Sequence, residues 1–313
     1  MESKANKLLS VIIPAFNEQD MIETTFFTVK NILDEASIPF ELLFIDDGSR
    51  DHTYTIIKQL AEQHAELRGL SFSRNFGKES AVFAGLEAAA GDCAVIMDCD
   101  LQHPPETIVE MYALWEQGYE VVEGIKTSRG KESRFHTFCA HCFYGLISKA
   151  TRIDMSRASD FKLLDRRAID ALIDMPERAP FFRALSSWIG FQTVSVPFEV
   201  QERTVGTSKW STFSLTKYAI QNITSFSSAP MQFVTLMGWI MFLFAIVLGI
   251  QSLYKYFTGT ALEGFTTVIL IQLIIGSIIM LSLGIVGHYL ARIYDEIKAR
   301  PRYIISKRCG ERK

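Results

Sequence analysis

The chain has 313 residues, enough for one large domain or two ordinary ones, and 48% of them are hydrophobic, at the high end for a water-soluble protein. A net charge of −3 gives no reason to expect nucleic acid as a partner. The apolar run in MESKANKLLSVIIP is too short for a signal peptide, and five cysteines, an odd number, in a domain kept in the cytoplasm argue against a disulfide framework.

The first half alternates apolar runs with helical patterns. Leu8–Ile13 predicts a strand ended by Pro14, and Met21–Glu35 a helix with Asn17 or Asp20 as its cap. Glu41–Ile45 predicts a second strand, running into DDGSRD, and Thr53–His64 a helix capped by Asp51. Leu67–Phe72 is a third strand, Ser80–Ala90 a helix stopped by Gly91, and Cys93–Met97 a fourth strand that ends in DCDLQHPPE. Pro104–Pro105 start the next helix. Glu120–Ile125 and Thr193–Val200 read as further strands, and Ser133–Ala150 as an amphipathic helix. That last helix carries Cys139, Cys142 and His136; a zinc site needs a second ligand pair, so packing is the better reading. Alternating strands and helices predict an α/β domain with a mostly parallel, Rossmann-like sheet flanked by helices.

The apolar excess lies near the C-terminus. Tyr218–Tyr254 holds no Asp, Glu, Lys or Arg, and in Phe265–Ala291 only His288 can carry charge. About 20 apolar residues cross a bilayer core, so Met231–Tyr254 and Thr266–Ala291 read as two membrane helices rather than a buried soluble hairpin. The residues after the second helix, RIYDEIKARPRYIISKRCGERK, are rich in Lys and Arg and mark the cytoplasmic side. Residues 1–211 are thus expected to form a cytoplasmic domain and 212–230 an amphipathic helix in the membrane surface. Residues 231–291 would hold the two spans, and 292–313 a basic cytoplasmic tail. The expected location is the cytoplasmic (inner) membrane. Gly276, Ser277, Gly284 and Gly287 would permit close helix contact in a homo-oligomer.

Ligands bind beyond the carboxyl ends of parallel strands. Here those ends carry PAFNE, DDGS and DCD, an acidic rim that would repel itself unless a cation compensates it. Asp98 and Asp100 alone are a weak signal, and the plain alternative is a helix cap. At a strand end, two carboxylates on one side can share a Mg²⁺ or Mn²⁺ that neutralises a diphosphate. FSRNFGKES lacks the first glycine of a phosphate loop and has Glu79 where Ser or Thr belongs, and no G-x-G-x-x-G is present.

VIIPAFNE, IDDGSRDHT, SRNFGKESA, MDCDLQHPPE, SDFKLLDRR and ERTVGTSKWS occur in that order. The chain resembles the family 2 glycosyltransferases of GT-A fold, and among them the bacterial polyprenyl-phosphate glycosyltransferases, relatives of dolichol-phosphate mannosyltransferase. The resemblance implies that a hexose moves, with inversion, from a nucleotide diphosphate sugar, UDP-linked in bacterial relatives, to a polyprenyl phosphate lipid at the membrane. It implies that Pro14, Phe16 and Glu18 line the nucleotide pocket, that Ile45 and Asp47 hold the base and ribose, and that Asp98, Asp100 and Gln102 hold the metal and diphosphate. Arg203 and Lys209 would close over the diphosphate, Asp160 would act near the acceptor, and Arg134 and Arg129 would meet the lipid phosphate. A phosphate acceptor is already largely ionised at neutral pH, so Asp160 is expected to orient it more than to take its proton. Two other readings are a processive polysaccharide synthase, whose Q-x-x-R-W motif is missing, and a membrane scaffold, which has no use for a repulsive carboxylate pair.

Overall fold

The computed structural model describes residues 7–126, 159–177, 180–199, 229–258 and 264–310. The expected helices over Ser133–Ala150 and 212–230 lie outside them. The chain divides into two units, Met1–Ser211 with Pro301–Lys313, and Thr212–Arg300.

The first unit is built on an eight-stranded sheet ordered β7-β5-β6-β4-β1-β2-β3-β8. In chain order the strands are β1 (Leu9–Ala15), β2 (Phe40–Asp46), β3 (Leu67–Phe72), β4 (Cys93–Ile96), β5 (Val121–Lys126), β6 (Lys162–Asp165), β7 (Thr193–Phe198) and β8 (Ile305–Cys309). The helices are α1 (Ile22–Glu35), α2 (Thr53–Gln63), α3 (Lys78–Ala88), α4 (Glu106–Glu116), α5 (Arg166–Ile173) and α6 (Phe182–Trp188). Pairs β1–β2, β2–β3, β1–β4 and β5–β7 are parallel, and β4–β6, β5–β6 and β3–β8 antiparallel. The sheet is mostly parallel, as its alternating sequence predicts.

Strand alternation explains the two layers. Val11 and Ile13 of β1 point into one core with Phe26 and Val29 of α1, Ile57 of α2 and Trp115 of α4. Ile12 points the other way, onto α3, where a Cβ on Gly85 would lie 2.2 Å from it. These strands are buried on both faces, which is why they read as largely apolar runs; the polar exceptions, Ser10 and Glu41, bond to each other.

β1 runs past its expected end because β4 pairs with it only as far as Ile12, whereas β2 pairs with it as far as Ala15. Pro14, without an N–H, costs no ladder bond on the β4 side. The expected caps of α1 are corrected. Its N-cap is Met21, with no side-chain bond. Asn17 has φ 53° and accepts the Arg50 N–H instead. The cap of α2 is corrected too: its N-cap is His52, with no side-chain bond, and Asp51, one residue before it, accepts the Thr53 N–H at 3.0 Å. The helix α3 starts two residues earlier than expected, at Lys78, after Gly77 with φ 98°, a conformation open chiefly to glycine.

The reading of 292–313 as a separate tail is also corrected. Within it, β8 lies antiparallel to β3 and caps that edge of the sheet. The Tyr303 ring stacks on Phe72 at 4.9 Å, and its hydroxyl donates to Glu87. Arg302 donates to the backbone carbonyls of Glu177 and Met175. Gly69 of β3 admits this strand, since a Cβ there would sit 2.7 Å from the Cys309 sulfur.

The second unit holds α7 (Ala229–Phe257) and α8 (Phe265–Ile297), of 29 and 33 residues. Val234–Gln251 and Ile274–Ile297 are long and apolar enough to cross a membrane, with mean hydropathies of 2.1 and 1.9. Trp239, Phe244 and Met280 are among the large apolar side chains left exposed there. The helix α8 continues past the expected Ala291, because the backbone ladder does not stop where apolar residues do.

Candidate active site

Sheet order turns around between β1 and β4: β2 and β3 follow on one side of β1, and β4 lies on the other. A crevice at such a switch point is where parallel sheets bind ligands. The loops around it are tied to one another. Past β1, the Asn17 N–H donates to Ser49 Oγ at 2.9 Å and the Glu18 N–H to Thr53 Oγ1 at 3.0 Å. Past β2, Asp47 accepts the N–H groups of Phe76 at 2.7 Å and Gly77 at 2.9 Å, which fixes the turn that starts α3. Burial pushes the Asp47 carboxyl above its usual range, only partly offset by these bonds. Asp46 accepts from Ser71 Oγ at 2.6 Å and from the Ser49 N–H at 2.9 Å.

The antiparallel β6 brings in the next group. Ile96 of β4 pairs with Lys162 of β6, so Asp98, two residues after the one, falls beside Asp160, two residues before the other. Lys78 sits between them. Its ammonium is 2.6 Å from Asp98 Oδ1 and 3.1 Å from Asp160 Oδ2. The other oxygen of Asp160 accepts from Arg183 Nε of α6 at 3.1 Å. Burial alone would raise the Asp160 carboxyl, but Lys78 and Arg183 outweigh it and hold the group far below the ordinary carboxylate range. Asp98 is held down in the same way, with Lys78 outweighing burial. Loss of water around the ammonium opposes the Lys78 charge, and the two carboxylates outweigh that and raise its pKa.

Supports surround this cluster. The Ser159 N–H donates to Glu123 Oε1 at 3.3 Å, and Glu123 is paired with Lys162, 1% exposed, at 3.0 Å. His103 Nδ1 accepts the Asp98 N–H at 3.3 Å, while its ring stacks on Phe161 at 4.8 Å. Burial lowers the His103 pKa, which keeps the ring neutral and Nδ1 free to accept. The Gln102 N–H donates to Asp100 Oδ1 at 3.1 Å, across a turn where Leu101 has φ 54°.

Glu79 accepts the Phe182 N–H at 2.8 Å and so holds the start of α6, from which Arg183 reaches Asp160. Burial, with Asp160 nearby, pushes Glu79 up to about 7. The folded chain keeps this proton where the unfolded chain, with an ordinary carboxyl, has lost it. Stability is therefore present at low pH and lost as pH rises through about 7. Glu79→Gln is expected to flatten the fall in melting temperature between about pH 5 and about pH 7, read by thermal unfolding of both proteins. Equal slopes would assign that fall to another group.

Of the residues expected from sequence, Asp98 and Asp160 meet through Lys78, and Asp100 and Gln102 share the next turn. Pro14 lies at the end of β1, and Phe16, just past it, is 38% exposed. Ile45 is fully buried and backs the strand ends, and the Asp47 carboxylate is taken up by the α3 turn. Arg203, Lys209, Arg134 and Arg129 lie outside the described residues. Sequence reasoning missed Lys78, Glu79 and Arg183. For Lys78 the signal was a cation placed at a strand-to-helix turn that faces an acidic rim; Glu79 and Arg183 gave none. That rim is compensated largely from within the chain, by backbone N–H groups and Lys78.

Among the described residues, no three His, Cys, Asp or Glu side chains converge to hold a metal. Asp98 and Asp100 offer hard oxygen donors, and they fit a Mg²⁺-type ion whose remaining ligands come from water and substrate phosphates.

Residues 10–183 match Glycosyl transferase family 2. The chain is 38% identical over 307 residues to an uncharacterized glycosyltransferase, YkcC, of Bacillus subtilis (strain 168), covering 96% of this chain and 94% of that protein. It is 35% identical over 304 residues to the SfII prophage-derived bactoprenol glucosyl transferase of Shigella flexneri, covering 96% of this chain and 97% of that one. Among solved structures it resembles glucosyl-3-phosphoglycerate synthase from Mycobacterium tuberculosis, in complex with Mn²⁺, UDP and phosphoglyceric acid. The TM-score is 0.53 at 21% identity, over 71% of this chain and 78% of that one, a likeness of fold, GT-A. Sheet order, the strand-end carboxylates and the matched residues converge: the chain belongs to glycosyl transferase family 2.

Proposed function

We propose that this glycosyltransferase moves a hexose from a UDP-linked sugar to a polyprenyl phosphate at the cytoplasmic face of a membrane held by α7 and α8. The observation that carries the reading is the Asp98–Lys78–Asp160–Arg183 cluster at the switch point, in a chain 35% identical to a bactoprenol glucosyl transferase along nearly its whole length.

Asp98 and Asp100, with Gln102 beside them, would hold a divalent cation, which supplies positive charge for the departing diphosphate. Pro14, Phe16, Glu18, Ile45 and Asp47 frame the nucleotide end of the crevice. Asp160, fixed as an anion by Lys78 and Arg183, sets the position of Arg183 beside the acceptor phosphate. It is too acidic to be an effective proton acceptor. The acceptor oxygen, already ionised, attacks the anomeric carbon in line, and the sugar inverts. Arg203 and Lys209 add charge to the diphosphate, and Arg134 and Arg129 bind the lipid phosphate. α7 and α8 keep the enzyme where a lipid acceptor resides.

The test is turnover of the purified full chain with polyprenyl phosphate and a panel of UDP- and GDP-sugars, read by mass spectrometry of the lipid product. One hexosyl lipid is expected, and chelation by EDTA is expected to lower its rate by at least about a hundredfold, with recovery on adding Mn²⁺ or Mg²⁺. No product with any donor, or product formation indifferent to EDTA, would overturn the corresponding part of the proposal.

A further inference from the structure

Lys78 poses a problem for the site as proposed. Its ammonium already holds Asp98 Oδ1 at 2.6 Å, the carboxylate that a divalent cation would use. It holds Asp160 Oδ2 at 3.1 Å as well. A single positive charge thus ties the metal-binding side of the crevice to the acceptor side. Asp160 keeps a second cation, Arg183, whether or not Lys78 stays. Among the described residues, the further partner of Asp98 is His103, reached through the Asp98 backbone N–H.

The two sides are also built differently. Asp47 fixes the Phe76–Gly77 turn from which Lys78 starts, so the base of the side chain is anchored. The side chain itself is 42% exposed, and its flexible four-carbon stem can swing without disturbing the core. A divalent cation at Asp98 would displace it by like-charge repulsion and by direct competition for Oδ1. A released ammonium beside a metal-bound diphosphate and a phosphate acceptor faces phosphoryl oxygens on either side.

We propose that Lys78 is a resident counter-ion of this site: it holds Asp98 and Asp160 together while the metal is absent, and metal binding at Asp98 hands its ammonium to a phosphate oxygen. The identity of that phosphate, donor diphosphate or lipid acceptor, rests on the proposed function; the competition with metal does not. Lys78 is a positioning residue before substrate arrives and a phosphate ligand afterwards. The arrangement makes a metal ion alone a poor ligand, and a metal–nucleotide complex, which brings Lys78 a new partner, a good one.

The experiment is binding without turnover. Mn²⁺ affinity of the full chain in detergent is measured by the electron paramagnetic resonance signal of free Mn²⁺, for the wild type and for Lys78→Met. Removing the competitor is expected to tighten Mn²⁺ binding without nucleotide by about tenfold. Binding of UDP in saturating Mn²⁺, and of farnesyl phosphate as a short acceptor, is then titrated by calorimetry. A loss for UDP assigns the ammonium to the donor, and a loss for farnesyl phosphate assigns it to the acceptor; both support the proposal. Lys78→Arg keeps the charge and is expected to bind Mn²⁺ as the wild type does. Equal or weaker Mn²⁺ binding by Lys78→Met, equal tightening by Lys78→Arg, or unchanged affinity for both anions would overturn it. Lys78→Gln repeats the series should Lys78→Met fail to fold. Failure of the transferase reading would show instead as a wild type that makes no glycolipid while these titrations hold.

Discussion

Asp160→Asn is expected to lower kcat by about a thousandfold while leaving the shape of the pH–rate profile unchanged. Each carboxylate oxygen of Asp160 is bound by a different cation, Lys78 at 3.1 Å and Arg183 at 3.1 Å. An amide keeps one acceptor oxygen and loses the charge. Arg183 would then lose the anion that positions it, and the acceptor phosphate would meet it in the wrong place. Because the folded-state pKa of Asp160 is depressed, the group is ionised across the whole working range, and no step in rate belongs to it. The profile instead follows the acceptor, whose second ionisation, near about 6, raises the rate and then levels off. Steady-state kinetics of both proteins between about pH 6 and about pH 9 decide the matter. A variant that climbs back toward wild-type rates at high pH would point to a lost general base and sink the orienting role.

Removal of residues 301–313 is the second large effect. It takes away β8, the Tyr303 ring on Phe72 and the two Arg302 bonds to the segment after α5. At roughly 1 kcal/mol for each lost hydrogen bond, the catalytic unit would be weakened by several kcal/mol. The edge of β3 would also lie open, a template for pairing with other chains. The truncated chain is expected to melt about 10 °C lower and to elute as larger species in size-exclusion chromatography. An unchanged melting temperature and elution volume would mean that β8 adds little to the sheet.

The first half of the fold was legible because its strands are buried on both faces. LSVIIP, ELLFI and CAVIM are apolar except for Ser10 and Glu41, which bond to each other, and turns rich in Asp, Gly and Pro separate them from amphipathic helices. β6 and β8 gave no such signal. KLLD is four residues long and opens with a lysine made tolerable in the core by its pairing with Glu123 and its bond to Ser187. ISKRC is an edge strand, exposed along its middle, and pairs through its backbone. The carboxylates of the site were legible from their places at strand ends. Their cation was not, because Lys78 and Asp160 lie 82 residues apart: the β4–β6 register sets Asp98 beside Asp160, and the turn fixed by Asp47 brings Lys78 to them. His103, which had no role in the sequence, holds the Asp98 backbone.

The position of β8 in the chain sets an order of events during synthesis. The other seven strands leave the ribosome before α7 and α8, and β8 leaves after both. The domain can collapse early around β1, β2 and β4, yet its sheet stays one strand short until the two apolar helices have emerged. Completion of the catalytic unit therefore reports that the hydrophobic segments have already been delivered, and a nascent chain stalled within them carries an unfinished sheet that proteases and chaperones can read.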